Sequence, residues 1–418
     1  MQYILTPPRQ FNSIIELPPS KSVSNRALLI HALSGEKTIL TNIAQCDDTQ
    51  VLLDALQHMP YHIDIKASGS AMRFLTAYLS ITEGEYIISG TKHMKHRPIG
   101  ALVDALRYIG ADIEYMEDEG FPPLRIRGKH LDGGRVEVPG NISSQFISAL
   151  AMIGPVLKNG LHIKLTGSIS SRPYIELTLW VMQQFGAEVE WSDIDAITVH
   201  PKPYQANAYH VESDWSAASY WYEILALSTH GDNTFLLKGL LDGSKQGDSV
   251  SRYLFSLLGV KTEIDTEEIV SASAIRIARS MRHLPRLEYN FVNCPDLVQT
   301  FVVCCALLGI PFLFTGVSSL LIKETNRIGA LKTEMRKLGY VIKDNHKDEL
   351  LWDGEKCPAT FAPIDTYDDH RMAMAFAPAA IKFSGLRINH PEVVSKSYPT
   401  FWNDLRKVGF KIEEVTQI

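Results

Sequence analysis

The chain has 418 residues, of which 45% are hydrophobic and 21% charged, and its formal net charge is -6. That length exceeds what one ordinary core organises, so two domains are expected, and the composition excludes a disordered chain. The acidic balance excludes a nucleic-acid partner held by a broad basic face, while leaving room for local cations around a small anion. Five cysteines with no C-x-x-C spacing make neither a disulfide framework nor a zinc site, and Cys304-Cys305 read as buried filler. The longest apolar run, Phe301 to Phe314, is broken by Gly309 and Pro311 and falls short of the roughly 20 residues of a membrane span. Met1-Gln2-Tyr3-Ile4-Leu5 shows no basic region followed by an apolar one, so a cytoplasmic protein without a signal peptide is expected.

Two helical elements alternate along the chain. One is apolar and rich in small residues, entered through Ser or Asp near Ser20, Ser68, Ser143, Asp214, Asp296 and Asp368. Apolar on most faces, it should be buried. A β-rich segment follows, as at 37–42, 86–89 and 161–165. The other is amphipathic and passes, usually through a Gly, into a short strand: 51–65, 102–115, 177–191, 250–264, 331–344 and 401–415. Apolar residues recur there at i, i+3, i+4 before the Gly, which suits a left-handed helix stop.

The unit is therefore buried helix, strand, surface helix, strand, repeated six times. The interval from Ser20 to Ser68 (48 residues) is shorter than the next, from Ser68 to Ser143 (75). The first unit should thus lack a strand pair, and its surface helix ends at His58-Met59-Pro60, where Pro stops it. Three units per half divide the chain naturally into two domains. A solenoid would show the same periodicity, but stacking alone does not require charged residues at the helix starts.

Cations gather at those starts. Lys21, Ser22 and Arg26 open the first buried helix, and Arg97 precedes Pro98 at the start of a surface helix. Lys323, Glu324 and Arg327 open another, Arg371 follows Asp368-Asp369-His370, and Lys396 leads towards the helix after Pro399. Hydroxyls join them in Ser143-Ser144-Gln145 and Ser171-Arg172-Pro173. A single Ser or Asp at such a place is ordinarily a cap, and a single Lys or Arg is ordinarily solvated surface. As a set they differ, because cations at the positive end of helix dipoles are unfavourable without an anion, and helix N-termini bind phosphates and carboxylates.

At these residues the sequence resembles the EPSP synthases. Pro19-Ser20-Lys21-Ser22-Val23-Ser24-Asn25-Arg26-Ala27-Leu28 is similar to that family's opening signature. Lys95-His96-Arg97-Pro98-Ile99-Gly100, Ser143-Ser144-Gln145-Phe146, Ser171-Arg172-Pro173-Tyr174-Ile175 and Gln246-Gly247-Asp248 follow in family order. Lys323-Glu324-Thr325-Asn326-Arg327, Asp369-His370-Arg371-Met372-Ala373 and Lys396-Ser397-Tyr398-Pro399 complete the series. The match runs from about residue 15 to the C-terminus, and eight such strings in order are specific where any one is weak.

The resemblance implies an α/β fold, a two-domain inside-out α/β barrel of the enolpyruvyl transferase type, with six βαββαβ-type repeats of which the first is shortened. Residues 20–211 would form one domain and 1–19 with 212–418 the other, with the active site in the cleft between them. The implied activity transfers the enolpyruvyl group of phosphoenolpyruvate to the 5-hydroxyl of shikimate 3-phosphate, in the shikimate pathway to chorismate and the aromatic amino acids. Carried over by position, Ser22, Arg26, Ser143, Ser144, Gln145, Ser171, Asp296 and Lys323 would hold shikimate 3-phosphate. Lys21, Gly69, Arg97, Gln145, Arg327, Arg371 and Lys396 would hold phosphoenolpyruvate. Asp296, Glu324, Lys21 and Lys396 would be catalytic, Asp296 beside the 5-hydroxyl and Glu324 or Lys396 delivering a proton to the methylene carbon. The resemblance implies no cofactor and no metal, a monomer, no nucleic-acid or membrane partner, and glyphosate as a further ligand. From the residues alone, Asp296 after Pro295 could equally be an N-cap, and Glu324 a first-turn partner of the dipole.

Departures cluster in Lys66-Ala67-Ser68-Gly69-Ser70-Ala71-Met72-Arg73-Phe74, where the family has G-N-A-G-T-A-x-R-P. Ala67 stands for Asn, Ser70 for Thr and Phe74 for Pro; Ser319 and Asn326 depart elsewhere. Gly69 and Arg73 are kept. The phosphoenolpyruvate side is therefore expected to be remodelled, with an altered response to glyphosate. Two other readings compete. The sister enzyme acting on UDP-N-acetylglucosamine has a Lys-Asn pair and a loop Cys, whereas here Ser22 follows Lys21 and no Cys falls at 90–97. A decayed, non-catalytic shikimate-phosphate-binding paralogue would explain the truncated first unit but not the retained acid-base and anion-binding residues.

Overall fold

The computed structural model describes residues 1–35, 38–229, 232–265, 274–280, 283–345 and 348–415. The chain divides into two compact units: an inserted one, Pro19–Val211, and a terminal one made of Met1–Pro18 and Glu212–Ile418.

Local chemistry sets the helix boundaries. Ser20, Ser68, Ser143 and Asp214 cap the helices Lys21–Leu33, Gly69–Ile81, Ser144–Ile153 and Trp215–Leu227, each side chain accepting a backbone N–H of the first turn. The fifth and sixth starts differ from expectation. A 3-10 turn, Pro295–Leu297, precedes the helix Val298–Leu308, so Asp296 is not its cap. The cap of His370–Phe376 is Asp369 and not Asp368, its carboxylate accepting from the Arg371 N–H at 2.9 Å. The surface helices stop as their glycines imply: Gly110, Gly186, Gly259, Gly339 and Gly409 all have positive φ. The first, Asp47–His58, ends on Met59 in the left-handed conformation, with Pro60 next.

Among the described residues each unit holds three sheets, and four of the six share one plan. The strand before the buried helix lies parallel to the strand after it, and a hairpin following the surface helix adds two antiparallel strands. In the inserted unit His62–Asp64 and Gly84–Ser89 are joined by Leu124–Gly128 and Asp112–Tyr115, and Gly134–Pro139 and Leu161–Thr166 by Ala196–Val199 and Val189–Asp193. In the terminal unit Asn12–Glu16 and Thr234–Lys238 are joined by Ala274–Arg279 and Val260–Asp265, and Leu287–Asn290 and Phe312–Thr315 by Glu349–Trp352 and Lys343–Asp344.

The remaining two sheets show what the repeats leave out. Ile39–Thr41 pairs in parallel with Ala208–His210, and among the described residues nothing further is added. The helix Asp47–His58 runs directly towards His62–Asp64 of the next sheet, so the hairpin of the first repeat is missing, as its short interval implied. Residue 37, the first of the expected 37–42 segment, lies outside the described residues. In the terminal unit Gln2–Thr6 lies between Leu386–Asn389 and Lys411–Val415, antiparallel to both. The two ends of the chain thus complete one repeat.

Every unit has its own core. The inserted unit buries the helices Lys21–Leu33, Gly69–Ile81 and Ser144–Ile153 beneath its sheets; the terminal unit buries Trp215–Leu227, Val298–Leu308 and His370–Phe376. Cys304 and Cys305 are fully buried in the second of these cores. Among the described residues no helix is long and apolar enough to cross a membrane.

Candidate active site

In the terminal unit three element starts bring charged side chains together: the turn Pro295–Leu297 carrying Asp296, the helix Arg327–Lys337 and the helix His370–Phe376. Asn326 caps the second of these by accepting from the Gly329 N–H at 3.0 Å, which fixes Arg327 at its first position. Arg327 is almost fully buried and spends its guanidinium on three carboxylates. It donates from Nε to Asp369 at 2.7 Å, from Nη1 to Asp296 at 3.0 Å and from Nη2 to Glu324 at 2.7 Å. Arg371 donates from Nη2 to the other oxygen of Asp296 at 2.8 Å, and Lys323 Nζ lies 3.8 Å from Asp296 Oδ1.

Asp296 is thus a carboxylate among three cations. Burial opposes its ionisation, but Arg371, Lys323 and Arg327 outweigh that and hold its pKa well below the usual carboxylate range, against a smaller opposing effect of Glu324. Burial also works against the charge on Arg327, and Asp369, Glu324 and Asp296 more than compensate, raising its pKa. Asp248, beside Ser216, whose hydroxyl donates to it, behaves oppositely: burial first, then the negative charge of Asp296, push its carboxyl up to about 6, with Arg371 and Ser216 pulling the other way. Of the residues expected at this end, Asp296, Lys323, Glu324, Arg327 and Arg371 are brought together. Lys323 and Glu324 lie ahead of the helix rather than in it, because Asn326 takes the cap. Lys396 ends the turn Pro391–Lys396, half-buried, and no contact among the described residues joins it to the cluster.

In the inserted unit Lys21 stands at the first position after Ser20 and donates to Asp48 at 2.9 Å. The Ser68 hydroxyl donates to the Asp48 carbonyl at 3.3 Å, so Asp48 joins the starts of two buried helices. Gly69 opens the helix Gly69–Ile81 under Arg97. A Cβ there would fall 2.6 Å from Arg97 Nη1 and 3.0 Å from Arg73 Nη1, a separation no side chain tolerates unless the guanidinium moves. Arg73, buried, donates to the carbonyls of Gly69 at 3.1 Å and Pro98 at 3.0 Å. Arg97 follows a 3-10 turn, Met94–His96, and the surface helix begins only at Gly100. The helix thus begins two residues beyond Pro98, where its first turn was expected.

Arg26 ties three helices together. Its guanidinium donates to Ser22 O at 2.7 Å, Tyr174 O at 3.2 Å, Thr178 Oγ1 at 2.6 Å and Ser148 Oγ at 3.4 Å. These lie on its own helix and on the helices begun by Ser144 and Arg172. Ser143 accepts from the Gln145 N–H at 3.3 Å, with Ser144 buried and Gln145 half-buried. Ser171 precedes Arg172–Gln184 in the left-handed conformation, φ 55° and ψ 36°. For a residue with a side chain that costs on the order of 1 kcal/mol or more, and such strain concentrates where ligands are held.

The profile of EPSP synthase (3-phosphoshikimate 1-carboxyvinyltransferase) matches residues 5–63 and 60–405. The 3-phosphoshikimate 1-carboxyvinyltransferase of Bacteroides fragilis strain YCH46 is 55% identical over 414 residues, 99% of either chain. The chain belongs to the EPSP synthase family. A further member, from Photobacterium damsela subsp. piscicida, is 35% identical over 433 residues, covering 97% of this chain and 99% of its own. Among solved structures, EPSP synthase from Acinetobacter baumannii has a TM-score of 0.76 at 19% identity, covering 99% of this chain and all of its own. An enolpyruvyl transferase from Streptomyces tendae has a TM-score of 0.71 at 15% identity, covering 100% of this chain and 99% of its own. The fold is therefore that of the enolpyruvyl transferases, as the resemblance implied. The two matched stretches of the EPSP synthase profile meet at 60–63, where the first repeat lacks its hairpin.

Sequence reasoning assigned no role to Asp48, Asp248 or Asp369, although each touches or faces a candidate residue. Asp248 and Asp369 stood inside family strings. Asp48 had only its place in the first turn of an amphipathic helix, which an acidic residue occupies for the dipole alone.

Proposed function

We propose that this chain transfers the enolpyruvyl group of phosphoenolpyruvate to the 5-hydroxyl of shikimate 3-phosphate, releasing phosphate. The observation that carries the reading is the cluster around Asp296, an ionised carboxylate with Arg327, Arg371 and Lys323 around it and Glu324 held on Arg327. Asp296 would take the proton of the 5-hydroxyl as its oxygen bonds to the central carbon of phosphoenolpyruvate. Glu324 or Lys396 would supply the proton that turns the methylene into a methyl group. The tetrahedral intermediate would then expel phosphate and lose a methyl proton, restoring the double bond.

Geometry gives the order of events a physical reason. Surrounded by cations, Asp296 is a poor base without ligands. Phosphoenolpyruvate would compete for Arg327 and Arg371, and shikimate 3-phosphate for Lys323, and their arrival would raise its basicity. By the family resemblance Gly69, Arg97, Lys21 and Gln145 would be further ligands of phosphoenolpyruvate, while Arg26, Ser22, Ser143, Ser144, Gln145 and Ser171 would hold shikimate 3-phosphate. We assign the protein to the cytoplasm as a monomer, with glyphosate competing for the phosphoenolpyruvate groups.

The test is phosphate release from purified protein given both substrates, with each single-substrate control and UDP-N-acetylglucosamine as the alternative acceptor. Release that requires both proposed substrates, and that glyphosate inhibits, is expected. Release with UDP-N-acetylglucosamine alone would move the assignment to the sister activity. Binding of shikimate 3-phosphate without turnover would leave a non-catalytic paralogue.

A further inference from the structure

Ser70 and Phe74, two of the positions at which this chain departs from the EPSP synthase segment, lie four residues apart on the helix Gly69–Ile81 and so share a face. That face meets the first buried helix at neighbouring residues. Ser70 Oγ accepts from Asn25 Nδ2 at 2.7 Å, and the ring of Phe74, fully buried, faces the Arg26 guanidinium at 5.6 Å. All four hydrogen-bond partners of Arg26 are neutral oxygens, and among the described residues no carboxylate lies within ion-pair reach of it. Burial alone lowers its pKa to about 10, with a small opposing effect of Tyr174. A buried cation so placed is stabilised by hydroxyl and carbonyl dipoles and by the negative face of an aromatic ring. Proline, the family residue at position 74, offers no such ring.

We propose that Phe74 is a positioning residue for the shikimate 3-phosphate side of the site: its ring holds the Arg26 guanidinium in place, and Ser70 fixes the adjoining turn through Asn25. The inference rests on the proposed function and redirects one expectation drawn from the sequence. The altered segment keeps Gly69 beneath Arg97 at its start, while Phe74 faces the opposite ligand's arginine and Ser70 binds Asn25 beside it. The consequence of Phe74 is therefore expected in affinity for shikimate 3-phosphate rather than for phosphoenolpyruvate.

The experiment is Phe74→Leu, which keeps apolar volume and removes the ring face, with Phe74→Met as a second ringless variant should the first be poorly folded. The KM for shikimate 3-phosphate, and its Kd measured without phosphoenolpyruvate, are expected to rise about 3- to 10-fold. The KM for phosphoenolpyruvate and kcat are expected to stay within about twofold of wild type, a split that a merely structural defect would not give. Ser70→Ala should shift the same constant in the same direction by a smaller factor. An unchanged shikimate 3-phosphate affinity, or a rise equal for both substrates or confined to phosphoenolpyruvate, in an active wild-type background would overturn this inference alone. A wild-type protein that releases no phosphate would overturn the proposed function and this inference with it.

Discussion

Asp296 and Asp248 are carboxylates of one unit whose environments drive them apart. Asp296 sits among Arg327, Arg371 and Lys323; Asp248 is buried near Asp296 with a serine as its hydrogen-bond partner. As the proposed base, Asp296 should be irreplaceable by its amide: Asp296→Asn is expected to lower kcat by about 10²- to 10⁴-fold in the phosphate-release assay. The pair also has opposite signs in stability. A lowered pKa gives Asp296 a stabilising contribution that is complete above the ordinary carboxylate range and lost only far into acid. A raised pKa gives Asp248 a contribution that is complete below its unfolded value of 3.8 and lost as pH rises through about 6. Asp248→Asn, which removes the buried charge, should therefore melt higher than wild type at pH 7. That difference should shrink as the pH is taken from 7 to 4 in parallel thermal denaturations, and a difference that grew instead would contradict the assignment.

At the scale of single elements, the helix starts do two things at once: they terminate helices and they present cations. Asn326 illustrates the coupling, because its side chain accepts from the Gly329 N–H and so sets where the helix bearing Arg327 begins. Asn326→Ala is expected to cost about 1 kcal/mol in urea unfolding, whereas Asn326→Asp, which keeps an acceptor, should cost a few tenths or less. The alanine variant should also lower affinity for phosphoenolpyruvate, since Arg327 loses its anchored position. Elements differ in how legible they were. The six surface helices and the glycine stops of five of them could be read directly, because apolar spacing and positive φ are properties of a few neighbouring residues. The starts at Arg97, Lys323 and Asp368 were displaced by one to four residues, because 3-10 turns and competing caps near a helix end are settled by contacts with other elements.

For the molecule as a whole, the repeats are completed by residues far from them in sequence. Gln2–Thr6 is the middle strand of the sheet that it forms with Leu386–Asn389 and Lys411–Val415, and Leu5 on it is fully buried. Removing residues 1–6 would leave two C-terminal strands facing a gap and expose the core beneath them. Such a truncated chain is expected to be recovered mainly as insoluble protein, or to melt without a cooperative transition in circular dichroism. The first repeat has no hairpin to lose, and its two strands, Ile39–Thr41 and Ala208–His210, instead join the two ends of the inserted unit.

The sequence by itself determined the sixfold alternation of buried and surface helices, the shortened first repeat, and the set of cations and hydroxyls at helix starts. Each of these is a local pattern of polarity, size or turn chemistry, and survives whatever the chain packs against. Tertiary structure alone decided that Asp296 is the centre of an ion cluster instead of a cap, that Arg327 is shared among Asp369, Asp296 and Glu324, and that Phe74 lies against Arg26. Arg327 with Asp296 and Asp369, and Arg26 with Phe74, join residues 31, 42 and 48 positions apart, and no local periodicity encodes which carboxylate or ring will face which guanidinium once the helices are packed.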